Sequence, residues 1–252
     1  MVRPAANSPF RPLNQLRAFE QIVVQIEDAI IGGRLQLGDR LPSEREMAET
    51  FGVSRASVRE ALRVLEMFGV VVARRGTGPE AGSVLAAETQ SGLQNVLRLH
   101  AGLLRIPAND IVEVRAALER QVAEQAAVNA TEESIVQLRE LIDDMAEAST
   151  IRIYHERDTE FHVQLARASG NALLPVLMEA LRGAMRRAML DGFERLSDWQ
   201  EERGRLLDEH RQIVDLIELR EPEGAANALR AHVVRFYRHV MDDERRGPGA
   251  HG

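Results

Sequence analysis

The sequence of 252 residues contains no cysteine. Disulfide frameworks, thiolate zinc sites and cysteine nucleophiles are therefore excluded, and any metal must be held by imidazole nitrogen and carboxylate oxygen. Lysine is missing as well: all 32 basic residues are arginine, a bias that coding preference accounts for without reference to function. No run of about 18 apolar residues is present to span a membrane. The amino-terminal MVRPAANSPFRP has no apolar stretch to serve as a signal peptide, so the expected location is the cytoplasm, with no membrane partner.

What remains is a globular composition, 44% hydrophobic and 28% charged, in a chain long enough for two cores. The net charge of −7 argues at first against a nucleic-acid partner, but it is unevenly divided. Residues 1–85 hold eleven Arg against ten acids, whereas the rest holds 21 Arg against 29 acids. Phosphate binding depends on a local basic face, so the acidic total excludes nothing.

Residues 14–31 place Leu16, Phe19, Ile22, Val23, Ile26 and Ile30 at helical spacing, and Gly32-Gly33 stops that helix. Ser43 with Glu46 three residues on forms a capping-box pattern for a second helix, ended by Gly52. Ser54 caps a third helix whose Val58, Ala61, Leu62 and Leu65 make one apolar stripe before Gly69. Val70-Val71-Val72, then Arg74-Arg75-Gly76-Thr77-Gly78 and a return strand near Ser83 to Leu85, reads as a β-hairpin wing. Beyond residue 88 only helical periodicity is seen, over roughly 88–104, 107–129, 132–148, 150–169, 171–191, 199–220 and 222–241, with breaks at Pro107, Gly170-Asn171, Gly192 and Pro222.

The predicted fold is mainly α. It has a flexible arm over 1–14, a winged helix-turn-helix of three helices plus hairpin over 15–86, an all-helical bundle over 88–243 and a disordered tail over 244–252.

On the third helix Arg55, Ser57 and Arg59 lie opposite the apolar stripe, free to reach base edges in a major groove of double-stranded DNA. Arg45 and Ser54, near helix starts with free backbone N–H groups, are placed for phosphates. Arg74 and Arg75 on the wing are placed for the neighbouring minor groove, though a solvated arginine face is the plainer alternative. The run from Leu41 to Ala48, the run from Gly52 to Glu66 and the continuation from Gly69 to Gly78 closely resemble the GntR family of bacterial regulators over residues 15–80. The resemblance implies that Arg45, Arg55, Ser57 and Arg59 contact an operator and that Gly76 lets the wing approach the backbone. Ala56 stands where the family often has Thr, and the wing continues through Pro79-Glu80-Ala81-Gly82, longer than the commonest form.

In the helical part, Asp158 and His162 are four apart and share a helix face. His210 and His232 sit beside Ile213-Val214 and Val233-Val234, which turn both toward a bundle interior. Three imidazoles and a carboxylate suit a borderline divalent ion, Zn²⁺ or Ni²⁺. His155 is the rival ligand, and His100 and His239 read as surface residues. Residues 90–241 resemble the FCD ligand-binding domain of the FadR subfamily. That resemblance rests on Val114 to Glu119, Asp158 to His162, Gly170-Asn171 and Glu209-His210 with Ile213. It implies metal at Asp158, His162, His210 and His232 and a cavity-facing Arg115, whose alternative is a surface salt bridge with Glu119.

The expectation is a homodimeric regulator, a repressor, whose hold on its DNA operator is modulated by a small carboxylate effector bound on the metal and by Arg115. A metal-free regulator of larger acyl ligands and a metal-dependent hydrolase stay open as alternatives. The hydrolase lacks an evident base, because Glu160 points to the other side of its helix.

Overall fold

A computed structural model describes residues 17–74, 82–86, 89–196 and 198–246. The chain divides into two compact units, Met1–Glu88 and Thr89–Gly252.

In the first unit α1 spans Ala18–Ile31, α2 Glu44–Phe51 and α3 Arg55–Met67, followed by strands β1, Val71–Arg74, and β2, Gly82–Leu85. Both ends of the turn between α2 and α3 are chemically determined. Ser43 accepts from the Glu46 N–H while the Glu46 carboxylate accepts from the Ser43 N–H. Gly52 ends α2 in the left-handed conformation at φ 65°, which a side chain would strain. Ser54 then caps α3 by accepting from the Ser57 N–H. Val58, Ala61, Leu62 and Leu65 of α3 are buried against Ile22 and Ile26 of α1 and Met47 of α2. Each large apolar side chain so buried contributes about 2 kcal/mol. The strands pair antiparallel, Val71 opposite Leu85, and both of these residues close the same core.

The second unit is built from α4, Thr89–Leu103; α5, Ala108–Asn129; α6, Glu132–Glu147; α7, Ile151–Ala168; α8, Leu173–Arg195; α9, Trp199–Glu218; and α10, Pro222–Arg246. Thr131, Thr150 and Asp198 cap α6, α7 and α9 through their side-chain oxygens. Helix α5 packs along α10, α6 and α8 flank α7, α9 lies against α10, and α4 lies on α8.

Two boundaries differ from the sequence expectation. Helix α8 runs through Gly192 to Arg195, because Met189, Gly192 and Phe193 are buried on its inner face. That packing outweighs the roughly 1 kcal/mol cost of a mid-helix glycine. Helix α10 runs to Arg246, past residue 241 where the sequence period places its end. The predicted arm over 1–14, the wing tip with Arg75 and Gly76, and residues 247–252 lie outside the described residues.

Candidate metal centre and nucleic-acid interface

The apolar stripe of α3 faces inward, which leaves Arg55 and Arg59 exposed on the opposite side. Arg45 on α2 is exposed as well, 3.9 Å from Glu49. Ser54 and Ser57 are tied to each other, Oγ to Oγ at 3.0 Å, so one of these hydroxyls serves the α3 cap as well as facing outward. Sequence reasoning missed Glu44. At the first position of α2 it accepts from Arg59 Nε at 3.2 Å and from NH2 at 2.8 Å, with Arg55 NH2 3.9 Å away. The Arg59 hydrogen bond holds the Glu44 carboxyl below its ordinary range. Arg59 and Glu44 lie fifteen positions apart on different helices, so no spacing rule pairs them.

In the second unit, three helices bring Asp158 and His162 of α7, His210 of α9 and His232 of α10 together. One ligand atom from each lies within 4.8 Å of the others, and all four residues are buried. Asp158 Oδ1 is 3.4 Å from His210 Nε2 and 3.7 Å from His162 Nε2. The outer side of three donors is held. Glu209 Oε2 lies 2.7 Å from His232 Nδ1, and since a carboxylate only accepts, the proton sits on Nδ1 and Nε2 keeps its lone pair. Arg182 NH2 donates to Asp158 Oδ2, leaving Oδ1 facing the histidines, and the Glu119 carboxylate lies against His162 Nδ1 without hydrogen-bond geometry. His210 has no carboxylate behind it, and the ring nitrogens of His210 and His162 are all buried without a hydrogen bond.

Electrostatics favours metal-competent forms of the donors. Burial pushes His210 well below the ordinary histidine range, aided by His232. Burial also lowers His232, against the opposing effect of the hydrogen bond it donates to Glu209. For Asp158, burial would raise the pKa, but Arg182 with His162 and His210 holds the carboxyl well below its usual range. Buried imidazole nitrogens without partners cost free energy that a bound cation would recover. Three nitrogens and one oxygen around a shared space therefore fit a borderline divalent ion.

Arg115 is not in a surface salt bridge. It is 3% exposed and Glu119 is 0% exposed; Arg115 Nε donates to Glu119 at 2.5 Å and NH1 to the Tyr237 hydroxyl at 2.6 Å. The sequence period shows that Arg115 and Glu119 share a face of α5, and α10 closes over that face. Arg182 and Tyr237 were not singled out by the sequence, and Glu209 entered only as part of the FCD resemblance with no role given to it, because their roles arise from contacts between helices far apart in the chain. Asp158, His162, His232, Arg115 and Tyr237 line a cavity of about 10 Å³, room for about one water, walled elsewhere by Met189, Phe193, Leu206, Val233 and Phe236.

His155, the rival ligand, is buried with its ring edge-on to Phe193 at 5.9 Å, and burial lowers its pKa to about 4. It is not part of the four-donor cluster. His100 is exposed, while the His239 side chain lies outside the described residues. Glu160 is exposed and accepts from Arg157 at 2.7 Å, so it presents no base to the centre. Among the described residues no helix is long and apolar enough to cross a membrane.

Residues 18–79 match the family of bacterial regulatory proteins called gntR, and residues 110–235 match the FCD domain. The Exu regulon transcriptional regulator of Escherichia coli (strain K12) is 27% identical over 233 residues, covering 90% of this chain and 87% of that protein. The Glc operon transcriptional activator of the same organism is 27% identical over 234 residues, covering 90% and 91%. The solved structure of Streptococcus agalactiae GntR shares the fold at a TM-score of 0.61 and 24% identity, covering 87% of this chain and 99% of that one. These domains and relatives are those of transcriptional regulators and not of enzymes, which removes the hydrolase alternative. With a gntR helix-turn-helix in front of an FCD domain, the chain belongs to the GntR family and is a DNA-binding transcriptional regulator.

Proposed function

We propose that this regulator is a homodimeric repressor whose FCD domain holds a divalent ion, Zn²⁺ or Ni²⁺, and binds a small organic acid that releases the operator. The observation that carries the reading is the convergence of Asp158, His162, His210 and His232 in a buried core, with three of them backed by Arg182, Glu119 and Glu209. An ion held there supplies a Lewis acid for a ligand oxygen. Arg115, already fixed by Glu119 and Tyr237, positions the acid's carboxylate at the cavity. Arg45, Arg55 and Arg59 of each protomer, with Ser54 and Ser57 at the start of α3, form the operator-facing surface, and Arg75 and Gly76 extend it on the wing. Dimerisation is supported by α4, which leaves Val96, Leu99 and Leu103 exposed, an apolar stripe of the kind a second copy covers.

The test is elemental analysis of full-length protein purified without chelator, paired with thermal unfolding before and after chelation. The expected result is one Zn or Ni per chain and a fall in Tm on chelation. His210→Ala should lower both the metal content and the chelator-dependent part of Tm. A folded protein that takes up no divalent ion at micromolar concentration overturns the reading.

A further inference from the structure

Building on that reading of the centre, we infer that the side chain of Tyr237 is the door through which the ion enters and leaves the core, and that this door opens onto the groove between α5 and α10. Two observations carry this. The first is where the wall is thin. All four donors are buried and their cavity of about 10 Å³ has room for about one water, so nothing passes until a side chain moves. On the outside a groove of about 850 Å³ runs along α5 and α10. Sequence neighbours fall on opposite sides of this seam: Arg115 and Val233 line the cavity, whereas Ala116 and Val234 line the groove. Among the described residues Tyr237 alone lines both.

The second observation is how the ring is fastened. The Tyr237 hydroxyl accepts from Arg115 NH1 at 2.6 Å and donates to Met185 Sδ at 3.5 Å, the latter a weak acceptor. One strong hydrogen bond is therefore the latch. Rotation about the side chain's own bonds releases it, without parting α5 from α10, which pack along each other. Ala116 and Ala117, with short side chains, leave space on the groove side into which the ring turns. The turn also vacates the ring's own volume beside the centre, room that the closed cavity lacks. A door changes the rates of entry and exit by one factor and leaves the equilibrium affinity alone, because it lowers or raises only the barrier between the two end states. A residue that shapes the donors changes the affinity.

The experiment follows Zn²⁺ leaving full-length, metal-loaded protein into an excess of chromogenic chelator, with the Zn²⁺ affinity measured separately by competition at equilibrium. Tyr237→Phe keeps the ring and removes the latch. It is expected to speed release by about tenfold, the effect of one lost hydrogen bond to a charged group, and to change the affinity by less than about threefold. Ala117→Trp, at an exposed position, narrows the groove and is expected to slow release by about fivefold at unchanged affinity. Val136→Trp, exposed on α6 and outside the groove, should leave both quantities as they are. Loosened packing does not slow release, so the Ala117→Trp rate separates a route from a structural role. A Tyr237→Phe release rate matched by an equal fall in affinity overturns the inference, and so does an Ala117→Trp rate equal to that of the unaltered protein. If Tyr237→Phe fails to fold, Ala117→Trp and Val136→Trp decide. Protein that carries no metal overturns the underlying reading and this inference with it, and elemental analysis identifies that case before any rate is measured.

Discussion

On the proposed operator-facing surface Glu44 is an acid among arginines, bound to Arg59 through two hydrogen bonds. An arginine that reads a base must present its planar fork in one orientation, and Glu44 removes rotamer freedom from Arg59 before DNA arrives. Its charge also repels phosphate, which penalises any docking that fails to offer Arg59 a base in compensation. Glu44→Gln is therefore expected to tighten binding to random duplex and to lower the ratio of operator to random affinity by roughly fivefold. Competition binding at fixed salt measures that ratio, and an unchanged ratio would show Glu44 to be a bystander. Arg59→Ala should lower the same ratio further, on the order of tenfold, since it removes the group proposed to read the base and not only its brace.

Helix α4 follows the DNA-binding unit directly in the chain, and its grip on α8 passes through a glycine. Gln94 Nε2 of α4 donates to the Gly183 carbonyl at 2.9 Å, and a Cβ at Gly183 would lie 2.4 Å from Cδ and Oε1 of Gln94. Gly183 is the neighbour of Arg182, which holds Asp158. Gly183→Ala gains up to about 1 kcal/mol of helix propensity and loses one hydrogen bond worth about the same, so its stability should change by less than about 1 kcal/mol. The clash is with the end of a flexible side chain, which swings away. What should change is α4: its amides are expected to exchange faster with deuterium while those of α8 stay protected. Unchanged exchange in α4 would place its anchoring elsewhere. Contacts of this kind separate what was legible in the sequence from what was not. Ser43, Glu46, Gly52 and Ser54 act within a few residues, so the α2 turn α3 element could be read from caps and period. His210 and His232 could be assigned to inward helix faces by their apolar neighbours, and Asp158 and His162 to one shared face by their spacing. Arg182 on Asp158, Glu209 behind His232 and Tyr237 on Arg115 depend on the relative register of α5, α7, α8, α9 and α10, and a period yields a face without naming its partner. Gly192 misled for the same reason: burial against neighbouring helices, invisible locally, kept α8 helical.

The whole chain carries −7, yet its task is to hold a polyanion. Affinity must then come from a small set of guanidinium groups close to phosphate, with the remaining charge screened within roughly 8–10 Å at ordinary salt. If each protomer of a dimer uses Arg45, Arg55 and Arg59, six cations displace counterions, and the slope of log K against log salt should be about −5. Arg45→Ala removes two of the six and should flatten the slope by roughly 2. The same plot distinguishes two ways in which an effector releases DNA. If the bound acid changes the spacing of the two winged helices, only one engages at a time and the slope falls to about half. If it alters each winged helix alike, the affinity falls with the slope less reduced. Spacing is the expected outcome. The ligand site and the reading helix belong to separate compact units, and a ligand shifts an equilibrium only through differential affinity for two arrangements. Linkage then requires that operator DNA weaken the acid's binding by the same factor by which the acid weakens the operator's. Calorimetric titration of the acid with and without operator measures that factor. An acid that binds equally in both cases would not be the effector, whatever its fit to the metal centre.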